Sequence, residues 1–239
     1  MQERSERTRR KLVRAGAVMF DRVGYANATL GHIAREAGLT KGALYFHFDS
    51  KEQLAEEIQR NGCAMLHTAA RELRAAHDSP LQALVDLTHW LAAVLRTDPP
   101  LRAALRVSRE LRGTQAESAD FHQASVAAAW RLLDEARQSG ELREYPEHAD
   151  FFPGEGEAGL PVGHDVACAD GCEGARTLLA VVVCGIEALT DLGLPEDELS
   201  RRVAVLWDLM LPGLVPDGTE YRWRTTAPAA EAEPLLSLA

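Results

Sequence analysis

Apolar residues recur with a helical period along almost the whole chain. In RTRRKLVRAGAVMFDRVGY, Arg7 to Tyr25, the positions Leu12, Ala15, Met19 and Phe20 return every three or four residues while arginines fill the other face. That spacing predicts an amphipathic helix, and Gly24 ends it. Thr29 then caps a short helix, LGHIAREA, with Leu30, Ile33, Ala34 and Ala37 on its buried side. Gly38 supplies a sharp turn, because positive φ costs glycine little. Leu39 plugs the core and Thr40 caps a second short helix, KGALYF, in which Phe46, like Phe48 after it, reads as core because large aromatics usually bury. Ser50 followed by Gln53 is a capping box, and it opens a long helix, KEQLAEEIQRNGCAMLHTAARELRAA.

The rest of the chain keeps the same period. PLQALVDLTHWLAAVLRT, LRAALRVSRELR and SADFHQASVAAAWRLLDEARQSG each read as a helix bounded by proline or glycine. ARTLLAVVVCGIEALTDLG and EDELSRRVAVLWDLML follow, the first apolar nearly all round, as suits a helix packed on its own core and on a second subunit. No segment alternates strongly enough to predict a strand. The fold class is all-α, with residues 1–50 as one small unit and 51–224 as a larger one. The tail 225–239, TTAPAAEAEPLLSLA, is expected to be disordered.

Charge divides the chain at the same place. The net charge is −10, yet residues 1–51 carry ten Lys or Arg against five Asp or Glu, while the remainder carries sixteen against thirty-one. A small basic head on an acidic body predicts that the head alone meets a polyanion. No apolar run is long enough to span a bilayer, no export signal opens the chain, and four irregularly spaced cysteines fit a reducing compartment, so a cytoplasmic protein is expected.

Two short helices joined by a glycine turn behind a basic helix make a helix-turn-helix unit. Its second helix must enter a major groove, which requires small residues for close approach and donors for bases or phosphates. Gly42 and Ala43 permit the approach. Lys41 is placed to read guanine O6 and N7, while Thr29, Thr40, Tyr45, His47 and Lys51 are placed to hold phosphates.

The run TLGHIAREAGLTKGALYFHFDSKEQL resembles the DNA-binding signature of the TetR family of bacterial transcriptional regulators. TKGALYFHF is similar in particular to the γ-butyrolactone autoregulator receptors of that family, with RTDPPLRAALRV and EARQSGEL as further points of likeness. The resemblance implies an all-helical homodimer, an inverted-repeat operator on double-stranded DNA, and a body that binds a small-molecule effector. Such proteins are usually repressors released by the effector, although activators of the same family exist.

Helical periodicity turns Cys63, Trp90, Ser108, Ser125 and Cys184 inward, and these are the expected lining of an effector pocket. By the resemblance, a tryptophan belongs where this chain has Ser125, and a threonine where it has Cys184. Trp130 lies five residues on, about 140° further round a helix, so it does not simply replace the missing ring. Loss of an aromatic surface and a hydroxyl predicts a poor response to simple γ-butyrolactones and an effector of another kind.

The segment Glu144 to Ala175 holds eight acids, six glycines and no Lys or Arg, and reads as an acidic insertion between body helices. GEGEAG within it matches GxGxxG, but no strand precedes it and its glutamates would repel a pyrophosphate. His164, Cys168 and Cys172 stand four apart and leave open a helical metal-binding or redox protein, although three ligands fall short of a structural zinc site and glycines weaken any helix there. No metal or cofactor is therefore expected. GxSxG, HExxH and GxxxxGK[ST] are absent, so no enzyme is expected either; His89 and His122 read as core or pocket residues.

Overall fold

The computed structural model of the protein describes residues 2–111, 120–143, 173–219 and 222–228. Nine helices and no strand occur among the described residues: α1 Gln2–Val23, α2 Leu30–Glu36, α3 Lys41–Tyr45, α4 Lys51–Ala76, α5 Pro80–Thr97, α6 Pro99–Glu110, α7 Phe121–Gln138, α8 Glu173–Thr190 and α9 Glu196–Leu214. The caps act as the sequence predicts. Thr29, Thr40 and Ser50 accept from the amides of His32, Ala43 and Gln53 at 3.2, 3.1 and 3.2 Å. Gln53 reaches back to the Asp49 amide at 2.8 Å, one residue before its expected partner.

Helices α1, α2 and α3 and the start of α4 close around Leu12, Phe20, Ile33, Leu44, Phe48 and Leu54, all fully buried. Gly24 and Gly38 turn with φ of +85° and +67°, where a side chain would be strained. Phe46 departs from expectation: it is 81% exposed, whereas Phe48 is fully buried. A five-residue helix buries only Leu44, and Phe46 at its C-cap comes round to the solvent side.

In the body, α5 is the central element, packed by α4, α7, α8 and α9. Trp207 of α9 is fully buried and donates its indole N–H to Thr88 of α5 at 2.8 Å. Helix α4 passes so close to α6 and α7 that a Cβ on Gly62 would lie 2.8 Å from the Ala104 methyl and 3.1 Å from the Phe121 ring. Beside that crossing, Gln59 and Ser108, both buried, bond to each other at 2.9 Å, and each accepts from the Phe121 amide at 3.1 Å. Three helices are thereby tied at one polar point inside an apolar core.

Helix α6 also joins body to head. Arg102 grips the Asp21 carboxylate at 2.9 and 2.7 Å, Arg106 donates to the Asp21 carbonyl at 2.7 Å, and Glu110 accepts from the Ala26 amide at 2.9 Å.

Where the tail expected from 225 begins, the chain is bound to α5. Trp223 is 6% exposed and donates to Ser79 at 2.8 Å, Arg224 exchanges backbone bonds with Gln82, and the Thr225 carbonyl meets His89 Nε2 at 2.7 Å. A buried indole and a paired guanidinium fix this short stretch against α5, whose polar residues the sequence pattern alone does not pair with it. Residues 229–239 lie outside the described residues, as does most of the acidic insertion, 144–172, with GEGEAG, His164, Cys168 and Cys172. No helix among the described residues is long and apolar enough to cross a membrane.

Candidate nucleic-acid interface

The outward face of α3 is built from the residues that its period predicts. Lys41 and Gly42 are exposed, and nothing but the Thr40 hydroxyl, at 3.9 Å, lies near where a Gly42 Cβ would stand. The Lys41 stem runs over Gly31 of α2, where an added Cβ would come within 3.3 Å of its Cε. A glycine at 31 thus lets the lysine lie flat along the neighbouring helix with its ammonium free at the tip. Tyr45 is 48% exposed on the same face. Thr29 and Thr40 are exposed but use their hydroxyls as cap acceptors, which leaves each hydroxyl proton free to donate outward.

His47 is half-buried, edge-on to the Phe46 ring at 5.2 Å. Its carbonyl accepts from Arg9 at 3.4 Å; Arg9 in turn pairs with Glu57 at 2.9 Å and lies over the Phe48 ring at 4.6 Å. One arginine of α1 therefore clamps the end of α3 to α4.

Lys51 does not stand where a phosphate contact was expected. Its ammonium donates to the carbonyls of Tyr25, Ala26 and Ala28 at 2.9, 3.3 and 3.2 Å and sits over the Tyr25 ring at 4.3 Å. All three N–H groups are spent holding the loop between α1 and α2. The same loop is fixed by the Tyr25 hydroxyl, which donates to Glu52 at 2.9 Å; burial first, then that bond, raises the phenol pKa, while the backbone amide at the start of α4 and Tyr25 lower that of Glu52.

Two features of this face escaped the sequence reading. Phe46 presents an exposed aromatic beside Tyr45, and only the shortness of the helix signals it. Arg4, Arg7 and Lys11 of α1 line, with Glu3, Thr8 and Leu39, an open recess of about 510 Å³ beside the α2–α3 turn.

In the body, the expected effector residues fall into three groups. Cys63 and Trp90 are half-buried against the core, and burial together with Asp120 pushes the Cys63 thiol pKa up. Ser108 and Ser125 are buried, but Ser108 is committed to Gln59, and Ser125 donates to the Phe121 carbonyl at 2.8 Å. Cys184, expected to face inward, is exposed, and Trp130 is 37% exposed with its indole donating to the Arg176 carbonyl at 3.0 Å. A helix with apolar residues nearly all round leaves the inward face undecided until its neighbours are placed. Among the described residues no group of three or more His, Cys, Asp or Glu could hold a metal.

Residues 12–58 match the model of bacterial regulatory proteins of the tetR family. The A-factor receptor protein of Streptomyces griseus is 30% identical over 219 residues, 91% of this chain and 67% of that one. The chain belongs to the TetR family. Among solved structures, a γ-butyrolactone receptor (ArpA-like protein) superposes with a TM-score of 0.68 at 27% identity, covering 92% of this chain and 95% of the other. CprB of Streptomyces coelicolor, solved in complex with its operator sequence, matches with a TM-score of 0.66 at 30% identity over 92% and 94%. The head described above is thus the DNA-binding unit of a TetR-family regulator, and the protein is a transcriptional regulator and not an enzyme.

Proposed function

We propose that this regulator is a homodimeric repressor that binds an inverted-repeat operator and is released by a small-molecule effector. The observation that carries this reading is the exposed, basic outer face of the head, with Lys41, Gly42 and Tyr45 on α3 beside the arginines of α1. In it, residues 1–50 are the reading head and 51–224 the sensing and pairing body. Lys41 reads base edges; Thr29, Thr40, Tyr45 and His47 position the helix on phosphates, and Phe46 adds an apolar contact to a thymine methyl or sugar. Lys51 supports the head from within.

Pairing would use α8 and α9, which leave Leu178, Val181, Val205 and Leu209 exposed. A second copy that covers them sets the distance between two α3 helices. Helix α6 carries the signal. An effector that shifts α6 drags α1 through Arg102 and Asp21 and favours head spacings that no longer match successive major grooves. Likeness to a solved structure described as the molecular basis for control of antibiotic production by a bacterial hormone, 27% identical over 88% of this chain, supports control of secondary-metabolite genes. Buried Ser125 in place of a tryptophan removes an aromatic surface and favours an effector other than a simple γ-butyrolactone.

A gel shift with the DNA upstream of the protein's own gene, across a salt series, tests the reading. Selective binding with affinity falling steeply as salt rises is expected. Salt-insensitive or sequence-blind association would defeat it, and release by a simple γ-butyrolactone at nanomolar concentration would defeat the effector assignment.

A further inference from the structure

Three chemistry-bearing side chains meet where α7 and α8 pack together. Cys184 Sγ lies 3.9 Å from His122 Nε2, and His122 Nδ1 lies 2.8 Å from Glu187 Oε2. Glu187 is 2% exposed, one turn beyond Cys184 on α8, while His122 is in the first turn of α7. A carboxylate only accepts, so the imidazole proton sits on Nδ1 and the Nε2 lone pair faces the thiol. The order is nucleophile, base and orienting acid, the arrangement that activates a thiol. Cys184 itself is exposed, about 60° round α8 from Val181, and so stands on the flank toward α7 and off the centre of the outer apolar stripe.

We propose that Cys184 is a covalent capture site for soft electrophiles carrying an α,β-unsaturated carbonyl, with His122 as proton acceptor and Glu187 as positioning residue. His122 Nε2 takes the thiol proton. Sγ then adds to the β-carbon, a C–S bond forms as the C=C π bond breaks, and the electron pair moves to the carbonyl oxygen as an enolate. The proton held on His122 returns to the enolate, which leaves a neutral thioether adduct and a neutral imidazole. Nothing is oxidised and no group leaves, so neither an oxidant nor a metal is required. The step also needs no DNA, and its test is independent of the operator reading.

N-ethylmaleimide is the probe. The full chain is treated at pH 7, and peptide mapping follows each cysteine separately. Cys184 is expected to react about tenfold faster than free N-acetylcysteine under the same conditions, and faster still than half-buried Cys63. His122→Gln should slow Cys184 about tenfold and leave Cys63 unchanged, with Glu187→Gln between the two. A wild-type Cys184 no faster than N-acetylcysteine overturns the proposal without recourse to any variant. So does a Cys184 rate unchanged in both folded variants.

Discussion

Arg224 places its Nη2 2.8 Å from both carboxylate oxygens of Asp86, a residue 138 positions earlier that is 1% exposed. The same carboxylate meets His77 Nε2 at 2.8 Å and the Gln82 amide at 3.1 Å. Trp223 and Arg224 are therefore docked on the body core. Arg224→Ala should leave the buried charge underpaired and lower stability by on the order of 2–3 kcal/mol, because His77 and Gln82 remain. Urea denaturation of the two proteins checks this, and Asp86→Asn in the Arg224→Ala background should recover part of the loss.

His89 sets a pH dependence on the same strut. Burial, the largest cause, lowers its pKa; Arg224 adds to this, while the Thr225 carbonyl and Asp86 oppose it. Its Nδ1 is buried with no partner among the described residues, so a second proton there finds no acceptor among them. The unfolded chain then binds the proton more readily than the folded one, and the contribution of neutral His89 is lost as pH falls below about 6.5. Melting temperature should decline across that window in the wild type, and a His89→Asn variant should show a smaller decline.

On the DNA face, Lys41→Ala should remove discrimination between operator and mutant sites by about 1–3 kcal/mol. Phe46→Ala should cost about 1 kcal/mol on the operator, and less when thymines are replaced by uracils that lack the methyl group. Equal losses on both DNAs would place Phe46 on the backbone instead.

Lys51→Met tests a support role against a phosphate role. Loss of three carbonyl bonds should lower head stability by about 1–3 kcal/mol. The slope of log affinity against log salt should stay unchanged, since no phosphate contact is removed; a slope reduced by about one would restore Lys51 to the interface.

Gly62→Ala should destabilise by about 1–3 kcal/mol, because its methyl would sit 2.8 Å from that of Ala104, which has no rotamer by which to yield. Calorimetry of the variant measures it directly.

Local chemistry was legible without coordinates. The bounds of α4 and α5, Lys51–Ala76 and Pro80–Thr97, follow from the Ser50 cap, from the proline that opens α5 and from their apolar period. Gly24 and Gly38 in left-handed turns follow in the same way. The helix-turn-helix head was legible for the same reason: caps, turn and exposed lysine lie within a few residues of one another, and short-range sterics and hydrogen bonding decide them.

What the sequence by itself determined is therefore the all-α class, the order of helices, the DNA-reading head and the split of charge between head and body. Only the tertiary structure decided that Phe46 faces solvent, that Lys51 turns inward to three carbonyls, that Cys184 lies outside against His122, and that Trp223 and Arg224 dock on α5. Each of these depends on a partner on another helix or loop, and periodicity fixes a residue's angle round its own helix but not which neighbour arrives at that angle.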